Sequence, residues 1–176
     1  GYYKQPEKTA EVIDEEGWFH TGDIGEITSD GFLKITDRKK EIFKTSGGKY
    51  IAPQMLENKF KESMFIEQIA IVGENKKHPS ALIVPSFDFL KKWAGSHGVT
   101  YSNEHDLIAN DKVIARFQEE VDRMNQGFGN WEQIKKFALL PKEFSIDGGE
   151  LTPTLKLRRK TINDKYAAII DDFYIE

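Results

Sequence analysis

Two short apolar runs, Ile69 to Val72 and Ala81 to Val84, stand close together with a polar stretch containing His78-Pro79 between them. Such runs are too short for helices of ordinary length and suit buried strands, so they predict a pair of neighbouring strands. The flanking sequence has the helical period instead. A helix is expected to begin near Pro53, a residue tolerated in the first turn, with Leu56, Phe60 and Met64 as its buried stripe. Ser86 reads as the cap of a short helix carrying Phe89, Leu90 and Trp93 and ended by Gly95 and Gly98. A longer helix from about Asp111 to Asn125 would bury Ile114, Phe117, Val121 and Met124, and Gly127 supplies its stop. Phe137 to Leu140 reads as a strand before Pro141, and Asp147-Gly148-Gly149 as a turn. A last helix over about Thr161 to Phe173 would align Ile162, Tyr166, Ile169 and Phe173. Strands that pair with their sequence neighbours, interspersed with helices, favour an α+β module over a doubly wound parallel sheet.

Ahead of this module, the segment to about Thr36 reads as loop and strand. Ile24, Glu26 and Thr28 share one parity, Leu33 and Ile35 alternate with polar neighbours, and Ser29-Asp30-Gly31 lies between the two runs. Asp-Gly in that position signals a hairpin, since glycine supplies the positive φ that such turns require. The charged stretch Asp37-Arg38-Lys39-Lys40-Glu41 reads as a linker on composition. The chain of 176 residues has no Cys, which excludes disulfides, thiol catalysis and zinc–thiolate sites. No apolar run approaches the ~20 residues of a membrane-spanning helix. The first residues have no apolar targeting core and no initiator Met, so no signal peptide is expected and the chain reads as cut from something longer. A net charge of −4 gives no reason to expect nucleic acid as a partner.

Three constellations could carry chemistry. In Gly17-Trp18-Phe19-His20-Thr21-Gly22-Asp23, an aspartate beside glycine can offer both carboxylate oxygens to a vicinal diol such as a ribose. A lone Thr-Gly-Asp is more often a turn aspartate bonded to its own backbone. The run Arg38 to Lys49 joins cations to Gly47-Gly48, a combination suited to phosphates. It is not a Walker loop, because Gly48-Lys49 is followed by Tyr50, and on its own it is more often a solvated basic loop. In Leu151-Thr152-Pro153-Thr154-Leu155-Lys156-Leu157, a partly desolvated Lys156 could stabilise charge on a reacting carboxylate or phosphate. Taken alone it is a helix-start lysine with its head in water. His20, His78, His97 and His105 lack metal-site spacing, and no metal site is expected in this chain.

In order, these segments resemble the carboxy-terminal motifs of the adenylate-forming superfamily of acyl-CoA ligases, peptide-synthetase adenylation domains and luciferases. Gly1-Tyr2-Tyr3 through Pro6-Glu7 and Thr9 is similar to that family's Gly-Tyr…Pro-Glu…Thr motif. Trp18 to Asp23 resembles its Tyr/Trp-x-x-Thr-Gly-Asp motif, Thr36 to Lys44 with Gly47 its hinge and following loop, and Lys156 falls where its adenylation lysine lies. The stretch 86–135 carries no motif. Thr45 to Pro53 and Leu151 to Thr154 look most like long-chain fatty acyl-CoA ligases. Three positions depart from the common pattern: Leu155 stands where many relatives have Gly, Asp37 replaces a common Gly, and the hinge residue is Lys40 rather than the frequent Asp.

The resemblance implies an AMP-forming enzyme that joins a carboxylate to AMP from ATP and passes the acyl group to coenzyme A. Asp23 would hold the ribose hydroxyls and Arg38 would contact the ribose or phosphate. Lys40 would be the pivot, Gly47 would line the pantetheine passage, Lys49 would help bind coenzyme A, and Lys156 would bridge acid and α-phosphate. Residues 1–36 would be the β-hairpin tail of a large amino-terminal adenylation domain, 37–40 the hinge, and 41–176 a small mobile α+β lid with a short antiparallel sheet flanked by helices. The missing domain would be its partner, Mg2+ would serve only the full-length enzyme, and the location would be cytoplasmic, with peripheral membrane association left open. The fragment alone would be inactive. The alternatives from other classes are a stand-alone anion- or RNA-binding module built on Arg38–Lys49 and Arg158–Lys160, and a protein-interaction domain.

Overall fold

The computed structural model describes residues 1–175. Its centre is a three-stranded sheet of β5 (Ile66–Val72), β6 (Ser80–Pro85) and β7 (Phe137–Leu139), with β6 in the middle. β5 and β6 pair antiparallel through the expected turn, with Ile69 opposite Ile83 and Ile71 opposite Ala81. Both runs are apolar without interruption because both faces of the sheet are covered. Ile69, Ile71, Ala81 and Ile83 face one core with Leu56, Phe60, Val113, Phe117, Val121 and Met124. Ala70, Val72, Leu82 and Val84 face a second core with Leu140, Phe144, Ile162 and Ile170. The third strand differs from a simple antiparallel sheet. β7 runs parallel to β6, with Leu82 opposite Ala138. The helices α3 (Phe87–Ser96), α4 (Glu104–Ile108) and α5 (Asp111–Met124) intervene, and a crossover of that length lets the chain return in the same direction.

The amino-terminal segment forms a short helix, α1 (Pro6–Ala10), where loop was expected, and then the hairpin of β1 (Asp23–Ile27) and β2 (Leu33–Arg38). Gly31, at φ +85°, makes its turn. Ile27, Phe32, Leu33 and Ile35 of this hairpin are exposed, so it has no core of its own. A second, minimal hairpin joins β3 (Phe43–Lys44) to β4 (Tyr50–Ile51), and α2 (Pro53–Phe60) follows at the expected proline.

Several expectations need correction. Met64 is exposed, because α2 ends at Phe60 and the stripe stops with it. Ile114 is also exposed; Val113 takes its place in the buried stripe of α5, and the turn between Phe117 and Val121 buries Glu120 as well. That carboxylate accepts from Ser63 Oγ at 2.6 Å and pairs with Arg116 and Arg123, which satisfies a charge no hydrophobic pattern predicts. Ser86 precedes α3 without a side-chain cap. Asn103 and Asn110 do cap α4 and α5, accepting from Asp106 N and Lys112 N at 3.0 Å. The last helix is broken at Tyr166 (φ −107°, ψ 19°) into α6 (Arg159–Lys165) and α7 (Ala167–Asp172). The break buries Ile170, while Tyr166, Ile169 and Phe173 of the expected stripe pack half-buried against the same core.

The charged stretch after Thr36 is not a free linker at its start. β2 continues through Arg38, and Asp37 is 1% exposed. Its carboxylate accepts from Arg38 N at 2.6 Å and from Gln54 N at 3.1 Å. α2 has no side-chain cap at Ala52, so Asp37 serves the start of that helix from another element. Burial pushes the Asp37 carboxyl above the ordinary range against the pull of these two amides. Glu41 and Glu57 then converge on Arg159. Its Nη1 and Nη2 fork onto the two Glu57 oxygens at 2.8 and 2.9 Å, and its Nε and Nη2 reach Glu41 Oε2 at 3.2 and 3.1 Å. Glu57 also accepts from Ile71 N at 2.9 Å, tying α2 to β5.

The predicted turn Asp147-Gly148-Gly149 forms over a buried carboxylate, Glu150, which is 2% exposed. It pairs with Lys165 and accepts from Tyr166 Oη at 3.3 Å and Ser145 N at 3.3 Å. Burial alone would raise its pKa, but Lys165 and the amides outweigh it and hold the carboxyl below the usual glutamate range.

Two outcomes follow for stability. Arg159→Met should cost about 3–5 kcal/mol at neutral pH, because it strands Glu57 as a buried charge. Burial pushes Glu57 upward, so denaturant melts at decreasing pH should show the deficit shrinking as it protonates. Glu150 works in the opposite sense. Its stabilisation is complete above the unfolded glutamate value of about 4.3 and is lost as pH falls through the lower folded value. Glu150→Gln should therefore cost about 2 kcal/mol at pH 7 and progressively less in acid, read from the same melts.

Candidate functional site

Asp23 opens β1 rather than lying in the loop before it. It is the register partner of Arg38 at the end of β2, so the hairpin sets the two side chains beside each other. Arg38 Nε donates to Asp23 Oδ1 at 3.2 Å. The preceding turn is fixed at both ends: Asp23 N donates to Thr21 Oγ1 at 3.0 Å, and Lys39 N donates to Gly22 O at 2.8 Å. The carboxylate thus faces a guanidinium instead of its own backbone. Its second oxygen and the terminal guanidinium nitrogens make no hydrogen bond among the described residues. An acceptor and a donor fork stand open side by side, as a sugar diol next to a phosphate would require.

Lys39 and Lys40 form an exposed turn between two anchored carboxylates, Asp37 at the start of α2 and Glu41 on Arg159. Gln54 Nε2 adds a bond to Glu41 at 3.3 Å. Lys40 also lines a cavity of about 290 Å³ with Ile42, Gly73, Arg159, Lys160 and Asn163.

The β3–β4 hairpin presents Gly47 and Lys49. Thr45 closes it, with Thr45 N donating to Lys49 O at 2.9 Å and Lys49 N to Thr45 Oγ1 at 3.2 Å. A Cβ at Gly47 would meet only Thr45 Oγ1, at 4.0 Å, so nothing in this chain demands glycine there. Lys49 Nζ lies 5.3 Å from the centre of the Trp131 ring, and Lys44 Nζ lies 5.3 Å from that of Tyr50. Neither ammonium forms an ion pair among the described residues.

Lys156 sits at the end of a tight turn. Leu155 N donates to Thr152 O at 2.8 Å, Thr152 N to Lys156 O at 2.8 Å, and Lys156 N to Thr152 Oγ1 at 3.1 Å. The turn requires Leu155 to adopt φ +58°, a region costly for a side chain with a Cβ. Below it, Leu151 bridges Leu157, and Arg158 N donates to Glu150 O at 2.7 Å. The backbone of Lys156 is therefore anchored to the Glu150 network. Its side chain is exposed, not partly desolvated as expected between leucines, because Leu155 points away at 70% exposure. The ammonium has no hydrogen bond or ion pair among the described residues.

Of the predicted residues, then, only Asp23 and Arg38 touch each other. Lys40, the Gly47–Lys49 pair and Lys156 occupy three separate exposed turns. The largest cavity described, about 780 Å³, is lined by Phe65, Phe89, Trp93 and Arg116 and by none of them. Sequence reasoning missed Trp131, Thr152 as the clasp of the lysine turn, and Glu150 beneath it. Thr152 lay inside a motif already singled out, while Trp131 lies far from Lys49 along the chain and gave no signal. His20 hydrogen-bonds Asp14 at 2.9 Å, and no group of three His, Asp or Glu side chains among the described residues could hold a metal ion. Arg159, at the centre of the second basic cluster, is committed to Glu57 and Glu41, which removes it from any anion-binding surface.

Known proteins are similar to this chain over nearly all of its length. Long-chain-fatty-acid–CoA ligase 1 of Homo sapiens is 42% identical over 99% of this chain and 25% of its own length. Long-chain-fatty-acid–CoA ligase FadD15 of Mycobacterium tuberculosis is 38% identical over 99% of this chain and 29% of its own. The chain thus spans about a quarter of the length of these relatives. Among solved structures, the adenylation domain of a carboxylate reductase from Mycobacterium chelonae superposes on all of this chain and 26% of its own, with a TM-score of 0.78 and 28% identity. The corresponding domain from Segniliparus rugosus, solved with AMP and a co-purified carboxylic acid, gives 0.76 at 25% identity over 99% of this chain and 26% of its own. None of these relatives supports a stand-alone anion- or RNA-binding module. The description of the AMP-binding enzyme C-terminal domain matches residues 40–176, and with it the chain belongs to that family, the carboxy-terminal part of adenylate-forming enzymes.

Proposed function

We propose that the chain is the carboxy-terminal part of a long-chain fatty acid–CoA ligase whose active site is completed by a preceding adenylation domain. In the first half-reaction a carboxylate oxygen attacks the α-phosphorus of ATP, and the bond to the β-phosphate breaks with release of pyrophosphate. In the second, the thiol of coenzyme A attacks the acyl carbonyl, loses its proton and displaces AMP. Residues 1–36 belong to the large domain in this reading, 37–40 to the hinge and 41–176 to the lid. The proposed location is cytoplasmic; no helix among the described residues is long and apolar enough to cross a membrane.

The observation that supports this most is Lys156, an unpaired ammonium on a backbone braced by Thr152 and by a strained Leu155. A carboxylate approaching a phosphate brings like charges together, and a cation aimed at the shared oxygens relieves this most in the transition state. Asp23 and Arg38 would take the ribose and its phosphate, an arrangement for which their open oxygen and nitrogens are suited. Lys40 would be the pivot, since its neighbours on both sides are anchored and it is not. Gly47 and Lys49 would meet coenzyme A, and the open space where a Cβ would stand at Gly47 fits a passage kept clear for a ligand.

In the full-length polypeptide, Lys156→Ala should lower the rate of acyl-AMP formation by roughly 10²–10³, by analogy with loss of one oxyanion donor. Thioester formation from supplied acyl-AMP should survive, and equal loss in both half-reactions would count against the assignment. Leu155→Gly tests the strain. It should stabilise the chain by up to about 1 kcal/mol, seen as a higher thermal midpoint, because glycine adopts positive φ freely.

A further inference from the structure

We infer that the cavity between α3 and α5 binds a long-chain carboxylate, with its alkyl chain along the aromatic wall of α3 and its head group on Lys112. This holds whether or not the chain is part of a ligase. The cavity is the largest described, about 780 Å³, and none of the residues assigned to nucleotide or coenzyme A lines it. That volume lies in the range of small-molecule sites, which are mainly apolar and aromatic with a few placed polar groups. One wall is a stripe on α3, where Phe89, Trp93 and His97 recur at four-residue spacing. Phe89 and Trp93 stay half-buried, open on the side facing the cavity. The other wall is Lys112, Ala115 and Glu119 of α5.

The two walls run in opposite directions, which gives the groove two different ends. At one end Phe65 forms the floor. It meets Phe89 edge to face at 4.8 Å between ring centres, and the Arg116 guanidinium lies 4.5 Å from its own centre. Met64, 70% exposed, borders this end with an adaptable thioether. At the other end the His97 ring stacks on Trp93 at 4.3 Å and is held there by Nδ1, which lies 2.8 Å from Trp93 O. Lys112 Nζ donates to His97 O at 3.3 Å. Between these ends the α3 stripe spans eight residues, about 12 Å at the helical rise and the reach of about ten extended methylenes.

The sign of the ligand follows from which charges are already answered. Glu119 accepts from Arg116 Nη1 at 2.8 Å, and Arg116 in turn covers the Phe65 face, so the place a cationic ligand would take is filled. Lys112 has no carboxylate partner among the described residues and rests only on a neutral carbonyl. An uncommitted cation at one end of an elongated apolar groove complements an amphiphile with a single negative head. Its flexible stem lets the ammonium leave that carbonyl for a carboxylate without disturbing the helix.

The test is nuclear magnetic resonance of the nitrogen-labelled chain with decanoate at submillimolar concentration. The chain has three tryptophans, and Trp18→Phe and Trp131→Phe, both at exposed positions, identify the Trp93 indole by elimination. Decanoate should shift that indole and the α5 amides of residues 112–119 saturably. Octanoate, two methylenes shorter, should bind up to about 10-fold more weakly. Decyltrimethylammonium, with the same chain and the opposite charge, should bind about 2- to 10-fold more weakly, as for one exposed ion pair gained against one refused. Lys112→Ala should narrow that difference. Ala115→Trp, which fills the groove from an exposed helix position, should abolish the Trp93 shift and leave the signals of both cores in place. If Ala115→Trp binds decanoate within about twofold of the parent chain, the ligand sits elsewhere and the inference falls. If decyltrimethylammonium binds as tightly as decanoate, the groove reads apolar surface alone and carboxylate recognition falls. If vesicles of phosphatidylglycerol bind the chain while monomeric decanoate shifts nothing, the groove is a membrane contact and the inference falls as well.

Discussion

The fork of Arg159 onto Glu57 and Glu41 holds together parts of the chain that share little else. It joins the start of α6 to the middle of α2, and through the Glu57 carboxylate to the backbone of β5. It also fixes the segment leaving the first hairpin, because Glu41 lies directly beyond the Lys39-Lys40 turn. Buried ion pairs of this kind contribute little net stability, since desolvation offsets most of the attraction. What they impose is geometry, because a guanidinium with five donors accepts few arrangements of two carboxylates. The same logic applies one turn earlier, where buried Asp37 closes the open start of α2.

Seen from this anchor, the exposed candidate residues fall into place by contrast. Every buried carboxylate among the described residues is matched to donors, and no buried side-chain polar atom there lacks a partner. Lys44 and Lys49 on one hairpin and Lys156 on another turn are among the cations that have no carboxylate partner among the described residues. A protein that satisfies its interior so fully and leaves these ammoniums open has charge available for ligands. Their backbones are nonetheless well held, by Thr45 in one turn and by Thr152 with the Glu150 network in the other. Placing a mobile charged tip on a fixed backbone is the arrangement a catalytic or binding cation needs.

The first hairpin is of a different kind. It exposes Ile27, Phe32, Leu33 and Ile35 and depends on the rest of the chain through the end of β2. Such a ribbon is weakly stable by itself. Its apolar surface agrees with a chain that spans a quarter of its relatives' length, where a larger neighbour would cover it. The ion pair of Asp23 and Arg38 forms at its base, where β2 runs into the Lys39-Lys40 turn.

The sequence by itself determined the elements whose signals are local. The apolar runs around Ile69 and Ile83, the Asp-Gly hairpin, the proline start of α2 and the periodicity of α5 all require only neighbouring residues, and the ordered motifs carried the family. Asp23, Arg38, Gly47, Lys49 and Lys156 were legible as candidates for the same reason. Tertiary structure alone decided what depends on distant partners. It set β7 parallel to β6, broke the last helix at Tyr166 and exchanged Ile114 for Val113. It also buried Asp37, Glu57, Glu120 and Glu150, charges that hydrophobic periodicity places at the surface because it cannot see the arginine, lysine or amide that will neutralise them. Trp131 came to Lys49 in the same way. A contact between residues far apart along the chain leaves no period or spacing, only a geometry that exists once the loop has closed.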